Sequence, residues 1–280
     1  MIRIFTDTSA NLPTSLISRH GIEVVPFSYT VNGEPGTLDG KEFYEAMRQG
    51  AMVKTSMVNI ATFMTPMREA LERGEDVLYI GMSGGISGTA HAATVATSEL
   101  REEFPDRRIA AVDTLAASLG EGLLVLKAVA WRDEGKDFSE ICERLEDEKK
   151  RMCQYFTVDD LEYLKRGGRI SKLASVVGTV LKIKPILTGD HEGKIILCGK
   201  ARGRRQALLS LAEHYERLVT DKTAIIGIAH GDDESSAQEL LEMLRERGFS
   251  GECLTEIYEP VTGSHVGPGT VALFFMGTHK

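Results

Sequence analysis

The sequence predicts an α/β protein with a doubly wound parallel sheet in its first half and a second α/β domain after it. Three observations carry this. Short apolar runs alternate with segments of helical periodicity through the first 150 residues, as a parallel sheet with crossover helices requires. The segment Gly122–Trp131 is apolar nearly all round, which marks a helix buried on every side. Near Arg151–Thr157 the texture changes, and a new set of strand-like and helix-like runs begins.

In order, Ile2–Phe5 reads as a first buried strand, with the polar run Thr6-Asp7-Thr8-Ser9 at its carboxyl end, where open α/β sheets place their ligands. A short helix after Pro13, a strand Ile22–Phe27, a loop or hairpin Asn32–Gly40 and a helix around Phe43–Arg48 follow. Lys54-Thr55-Ser56 reads as the loop entering an amphipathic helix with the stripe Ile60, Phe63, Met64, Met67 and Leu71, and helix capping accounts for Thr55 and Ser56 as well as ligand binding does. Strand Arg108–Val112 ends at Asp113-Thr114, and Asp137 with Glu140 forms a capping box for the charged helix through Arg151. In the second half, Tyr155–Val158 is a strand and Asp159–Arg166 a helix stopped by Gly167-Gly168. A mostly apolar helix Leu173–Ile183 ends at Lys184-Pro185. Strands Ile195–Cys198, Ala224–Ala229 and Cys253–Tyr258 alternate with helices Arg205–Val219 and Ser235–Arg247. The loop Gly263–Gly269 then leads to a last strand, Val271–Met276.

Composition narrows the function. A formal net charge of −8 over 280 residues argues against a nucleic-acid or anionic-membrane binder. The four cysteines, Cys142, Cys153, Cys198 and Cys253, are far apart and form no C-x-x-C, so neither a disulfide framework nor a metal site is expected, which fits a reducing cytoplasm. No apolar run reaches membrane-spanning length and the N-terminus has no signal-peptide pattern.

The segment Val77–Thr97, VLYIGMSGGISGTAHAATVAT, is a strand, a Gly/Ser loop and a helix of small residues. With Ser87 at the helix N-cap, the backbone N–H groups of Gly88, Thr89 and Ala90 would be unpaired at the positive end of the helix dipole, an anion cradle. The P-loop lysine is absent after Gly88, and Ser83 breaks the dinucleotide pattern. No Lys or Arg lies between Arg73 and Arg101, so the cradle suits a single carboxylate better than a triphosphate. On the loop alone, a simple helix cap with chain-turning glycines is an equally good account.

Seven motifs together resemble one family. DTSANLP, KTS, SGGISGT, VDTLAASLGEG, LEYLKRGGRIS, LKIKPIL and GSHVGPG occur in the order and approximate spacing of the DegV family of bacterial fatty acid-binding proteins, from Asp7 to Gly269. The resemblance implies a Rossmann-like N-terminal domain, a three-layer parallel sheet over residues 1–152. A C-terminal α/β domain with a mixed sheet in two layers spans 153–280, and elements of the two interleave. It implies one long-chain fatty acid buried between the domains, no cofactor, and presentation of the acyl carboxylate to a separate fatty acid kinase, with no catalysis by this chain alone.

Carried over by motif, the carboxylate ligands are Thr55, Ser87 and His265, with Ser56, Gly88 and Thr89 beside them and Arg169 nearby. Two departures stand out: Met57-Val58-Asn59 follows KTS in place of Gln-Pro-Ser, and Asn11 replaces the usual Asp. For Arg169 a helix-terminus or interface salt bridge is an equal alternative, and an isolated His265 would more often be structural. Candidate acyl-tunnel walls are Met57, Phe63, Met64, Val177, Val180, Leu181 and Ile186, with Leu173, Val176 and Leu187, although each would serve any core. Burying about a dozen methylenes at roughly 0.8 kcal/mol each offers of order 10 kcal/mol before ordering costs, so the tail should set affinity and the head group orientation. Arg202, Arg204 and Arg205, with Lys200, are either a solvated helix start or a docking patch for an acidic kinase face. A free-standing enzyme acting on a small phosphorylated or hydroxylated substrate is the rival expectation.

Overall fold

The structure, a computed structural model, describes residues 1–170 and 183–279. In chain order its elements are β1 (Ile2–Asp7), a 3-10 turn Thr8–Ala10, α1 (Thr14–His20), β2 (Glu23–Val25), β3 (Ser28–Val31), β4 (Glu34–Pro35), α2 (Gly40–Arg48), β5 (Val53–Ser56) and α3 (Ile60–Glu72). Next come β6 (Asp76–Gly81), α4 (Thr89–Glu103), β7 (Ile109–Asp113), α5 (Leu119–Asp133), α6 (Phe138–Glu148), β8 (Met152–Thr157) and α7 (Glu162–Arg166). The remainder is β9 (Ile183–Gly189), β10 (Ile195–Arg202), α8 (Arg204–Leu218), β11 (Ile226–His230), α9 (Glu234–Glu246), β12 (Cys253–Ile257), α10 (Pro260–Val266) and β13 (Val271–Met276).

The first sheet has the order β2-β1-β6-β7 and is parallel throughout. The central strands β1 and β6 are buried on both faces, and the two-residue period of a strand divides their side chains between two cores. Phe5, Val77 and Tyr79 pack with α3 and α4, whereas Ile4, Leu78 and Ile80 pack with α5 and α6, which gives three layers. The second sheet has the order β10-β9-β8-β13-β11-β12 and is mixed, with only β11 and β12 parallel. Tyr155, Ile186, Ile228 and Phe275 face α8 and α9, while Phe156, Leu187, Ala229 and Phe274 face the core that holds α5. Helix α5 is therefore apolar all round because both sheets bury it.

A third, antiparallel sheet, β4-β3-β5, was not expected from the sequence. It corrects the placement of Thr55 and Ser56: both lie in β5, with Tyr29 opposite Thr55 and Ser28 opposite Ser56, and neither caps a helix. The cap of α3 is Asn59, whose Oδ1 accepts from the Thr62 N–H at 3.0 Å. Three smaller expectations also change. Ile183, Lys184 and Pro185 lie in β9, where Pro185 falls beyond the last residue paired with β8, so its missing N–H costs no bond on that side. Asp137 caps α6 alone, since Glu140 pairs with Arg144 at 2.8 Å. Gly263–Val266 belongs to α10 rather than to a loop. Of the expected apolar helix after Arg169, residues 171–182 lie outside the described residues.

Asn11 joins the two halves. Its Nδ2 donates to the Ile257 carbonyl at 3.2 Å and its Oδ1 accepts from the Glu259 N–H at 2.9 Å, with Asn11 itself at φ 53°. An ionised Asp could accept the second bond but not donate the first, so asparagine adds a bond between the two halves that aspartate would lack.

Candidate ligand site

The site forms where the chain leaving the carboxyl ends of β6 and β7 meets the mixed sheet, the position at which open α/β sheets hold ligands. The chain leaving β6 runs through Met82 and Ser83 into the Gly/Ser loop. Ser83 N–H donates to the Ala116 carbonyl at 2.8 Å, Gly84 N–H to Asp113 Oδ2 at 3.0 Å, and Ser83 Oγ to the Gly193 carbonyl at 3.0 Å. The loop is thus tied to β7 on one side and to the β9–β10 turn on the other.

The N-cap of α4 is Gly88, one residue later than expected. Ser87 Oγ accepts from the Thr89 N–H at 3.2 Å and lies 3.0 Å from Thr89 Oγ1. Thr89 is fully buried, and its hydroxyl accepts from the Val58 N–H at 3.2 Å, so it fixes the loop against the end of β5 and does not face the ligand space.

The other six head-group candidates, Thr55, Ser56, Ser87, Gly88, Arg169 and His265, line one cavity of about 240 Å³. Thr55 Oγ1 on β5 lies 2.9 Å from His265 Nε2 on α10, a contact between residues 210 positions apart in sequence. Helix α10 is held by Glu259, whose carboxylate accepts from Thr262 N–H at 2.6 Å and from Val261 N–H; burial pushes that carboxyl up to about 7. Gly167 sits against the imidazole: a Cβ there would fall 2.3 Å from His265 Nδ1, so only glycine leaves room for the ring. Arg169 donates from Nε to the Ile86 carbonyl at 3.0 Å and from its terminal nitrogen to the Gly167 carbonyl. It is in no ion pair among the described residues, and burial lowers its pKa from the usual value, so the cation that the Gly/Ser loop lacks reaches the site from the second half of the chain.

Burial, helped by the Arg169 charge, holds His265 down at about 4, so the free protein carries a neutral imidazole at pH 7. A folded-state value below the unfolded one means that the unfolded chain binds the extra proton. The stability it contributes is therefore present above about pH 6.5, is lost as pH falls toward 4, and is worth about 3 kcal/mol at most. Urea denaturation should show the wild type losing stability relative to His265→Gln across that interval; a constant difference would contradict the depressed value.

The rest of the cavity wall is mostly apolar. Phe27, Met82, Ile86, Phe156, Leu164, Ile195, Val261, Val266 and Phe274 contribute, with Ala116 and Ala117 at the start of α5 and Gln154 and Thr262 as polar members. Met57 lines it beside Gly88 and is 53% exposed, so it sits at the mouth. Four other candidate tunnel walls do not line it, Leu187 among them, which packs in the core that holds α5. Phe63 is buried under α3 against Tyr79 with ring centroids 4.9 Å apart, Met64 packs on the same core, and Ile186 points toward α8 because strand alternation turns Leu187 the other way. Val177, Val180 and Leu181, with Leu173 and Val176, lie outside the described residues. The missed apolar walls carried a partial signal: Ala116-Ala117 stands inside VDTLAASLGEG, and Phe156 and Phe274 sit on the α5-facing side of their strands.

Of the basic cluster, Arg204 is committed to the fold. It pairs with Asp233 at 2.5 Å and Asp159 at 3.6 Å and donates to Ser236 Oγ at 3.1 Å, so it is not free for docking. Arg202 at the end of β10 and Arg205 on α8 are exposed; Arg205 is 3.6 Å from Glu239. Among the described residues no helix is long and apolar enough to cross a membrane, and no group of His, Cys, Asp and Glu has the arrangement of a metal site.

Comparison with known proteins places these features. The structure resembles a fatty acid-binding DegV family protein from Thermus thermophilus, with a TM-score of 0.89 and 32% identity over 99% of each chain. It also resembles DegV of Bacillus subtilis, described as a fatty acid-binding protein, with a TM-score of 0.86 and 28% identity over 99% of each chain. A DegV domain-containing protein of Clostridium perfringens is 39% identical over 284 residues, covering 99% of this chain and 98% of the relative. The family model described as "Uncharacterised protein, DegV family" matches residues 1–278, and with these relatives it shows that the chain belongs to the DegV family.

Proposed function

We propose that the protein binds one long-chain fatty acid between its two domains, residues 1–152 and 153–280, and presents the carboxylate to a partner fatty acid kinase in the cytoplasm. The observation that carries the reading is the division of a single cavity: hydroxyls, an imidazole and a guanidinium at Thr55, Ser87, His265 and Arg169, and an apolar wall elsewhere. A carboxylate there accepts from the Thr55 and Ser87 hydroxyls and the Gly88 N–H, with Arg169 and the neutral imidazole of His265 beside it. The tail then has mostly apolar neighbours to displace water from. The solved relatives from Thermus thermophilus and Bacillus subtilis, described as fatty acid-binding, support the same ligand class.

The exposed guanidinium groups of Arg202 and Arg205 are the docking candidates that remain for an acidic partner face. With a fatty acid kinase catalytic subunit and a nucleoside triphosphate, the lipid-loaded protein should yield acyl phosphate. The double charge reversal R202E/R205E should lower that rate about tenfold or more while calorimetric titration with palmitate is unchanged. Equal rates for variant and wild type would remove the docking patch, and no palmitate binding by the wild type would remove the function.

A further inference from the structure

Gln154 stands out in the apolar part of the cavity wall. On β8 it alternates with Tyr155, which faces α8, so it shares the other side of the strand with Phe156. Across the ladder it lies opposite Phe274 on β13, and Gln154, Phe156 and Phe274 all line the cavity. A primary amide among phenylalanines is held there by its neighbours. Gly189 on β9 leaves the room, since a Cβ there would lie 2.4 Å from Gln154 Nε2, and Nε2 donates to the Leu115 carbonyl at 2.8 Å.

That bond decides which way the amide points. A backbone carbonyl only accepts, so the NH₂ group is given to Leu115 and the oxygen Oε1 is the end left over. Among the described residues no donor bonds to Oε1. The other uncharged polar member of this wall differs, because Thr262 Oγ1 is sealed inside the protein without a partner. Gln154 Oε1 is not sealed in that way, and the space its residue borders is the cavity.

An unsubstituted acyl chain packed against Oε1 strips it of water and returns no hydrogen bond. A hydroxyl on the chain donates to it, and both polar groups are then satisfied in the dry cavity. A site that hydrogen-bonds a ligand hydroxyl in this manner discriminates strongly against the analogue that lacks one. The walls at Phe156, Leu164, Ile195 and Phe274 still require hydrocarbon over the rest of the chain.

We infer that the preferred ligand is a long-chain fatty acid bearing a hydroxyl on its chain, and that Gln154 Oε1 accepts from that hydroxyl. The inference rests on the fatty acid reading and narrows its ligand class. Gln154 sets specificity at the chain and takes no part in holding the carboxylate.

Stearate, stearates hydroxylated at the third, tenth, twelfth and terminal carbons, and the oxo analogue of the tightest of these are titrated into wild type, Gln154→Met and Thr262→Val. On the wild type, one hydroxystearate should bind at least as tightly as stearate. It should also bind about tenfold or more tighter than its oxo analogue, because Oε1 accepts and a ketone has no proton to give. Gln154→Met should weaken that isomer about tenfold relative to stearate, and Thr262→Val should leave the ratio unchanged. Wild type that binds stearate more tightly than every hydroxystearate, or the oxo analogue as tightly as the hydroxyl, overturns the proposal without any variant having to fold. A Gln154→Met that weakens stearate and hydroxystearate equally also overturns it, since the amide then only supports Leu115. Stearate binding with no matching hydroxystearate leaves the fatty acid reading standing and removes this one, whereas no binding of any of these acids removes both.

Discussion

Asp7→Asn is expected to destabilise the protein by about 3 kcal/mol or more, whereas Glu121→Gln at the neighbouring carboxyl should stabilise it at alkaline pH. The two carboxyls meet at the hydroxyl of Ser9, which bonds Asp7 Oδ1 and lies 2.7 Å from Glu121 Oε2. One hydroxyl has one proton to give. Asp7 also receives the Ser9 N–H at 2.9 Å, the Tyr79 hydroxyl at 2.6 Å and the Met82 N–H at 3.3 Å, so both its oxygens are filled by donors and it is the ionised partner. Glu121 receives only the Thr6 hydroxyl at 2.9 Å besides, and burial together with the Asp7 charge raises its pKa well above the ordinary carboxyl value. It keeps its proton and donates it to Ser9.

Gln at 121 therefore reproduces every bond, while Asn at 7 turns an NH₂ toward a backbone N–H, of Ser9 or of Met82, that can only donate. The sign of the pH effect follows. A carboxyl raised in the folded state contributes stability below its unfolded pKa and loses it as pH rises, so the advantage of Glu121→Gln should grow above about pH 4.5. Guanidinium denaturation of both variants from pH 5 to 8 checks this, and comparable losses at Asp7 and Glu121 would contradict the assignment. The pair matters to the site because Asp7 holds Met82, from which the Gly/Ser loop departs; Gly81 leaves the room, since a Cβ there would lie 1.9 Å from the Tyr79 hydroxyl oxygen.

The second large effect lies in the ligand. Laurate is expected to bind up to about 200-fold more weakly than palmitate, because four methylenes at roughly 0.8 kcal/mol each amount to about 3 kcal/mol. Ser87→Ala should weaken palmitate binding only about tenfold, the cost of one hydrogen bond to a charged group. Competition titrations with both acids on both proteins compare the terms directly. A head-group loss exceeding the chain-length loss would mean that the apolar walls at Phe156, Leu164, Ile195 and Phe274 do not carry the affinity.

Much of this architecture was legible in the chain. Strand β6 and helix α5 announce themselves through nearly continuous apolar runs, because elements buried on both faces have little polar side to show. Short elements were not legible: β3, β4 and β5 span four, two and four residues and exist through pairing with one another, which local sequence does not encode. Thr55 illustrates the consequence, since a strand residue beside a helix start reads as a cap until its partner strand is seen.

The head-group candidates came from motifs, and the fold brings Thr55 and His265 together from 210 residues apart. The candidate tunnel walls came less well: of those described, only Met57 lines the cavity. Phe63 and Ile186 differ from Phe156 and Phe274 only in the face of the sheet or helix they occupy, and apolar character alone does not distinguish a cavity wall from a packed core. Arg204 likewise resembles Arg202 and Arg205 in sequence and is removed from the surface patch by Asp233 and Asp159.

Mass spectrometry of an organic extract from the purified protein, under conditions that release tightly bound lipid, tests the central claim most directly. The account predicts one long-chain fatty acid per chain, reduced in Thr55→Val and Ser87→Ala. An extract without fatty acid, together with no uptake of added palmitate or oleate, would contradict it and return the site to a small phosphorylated substrate.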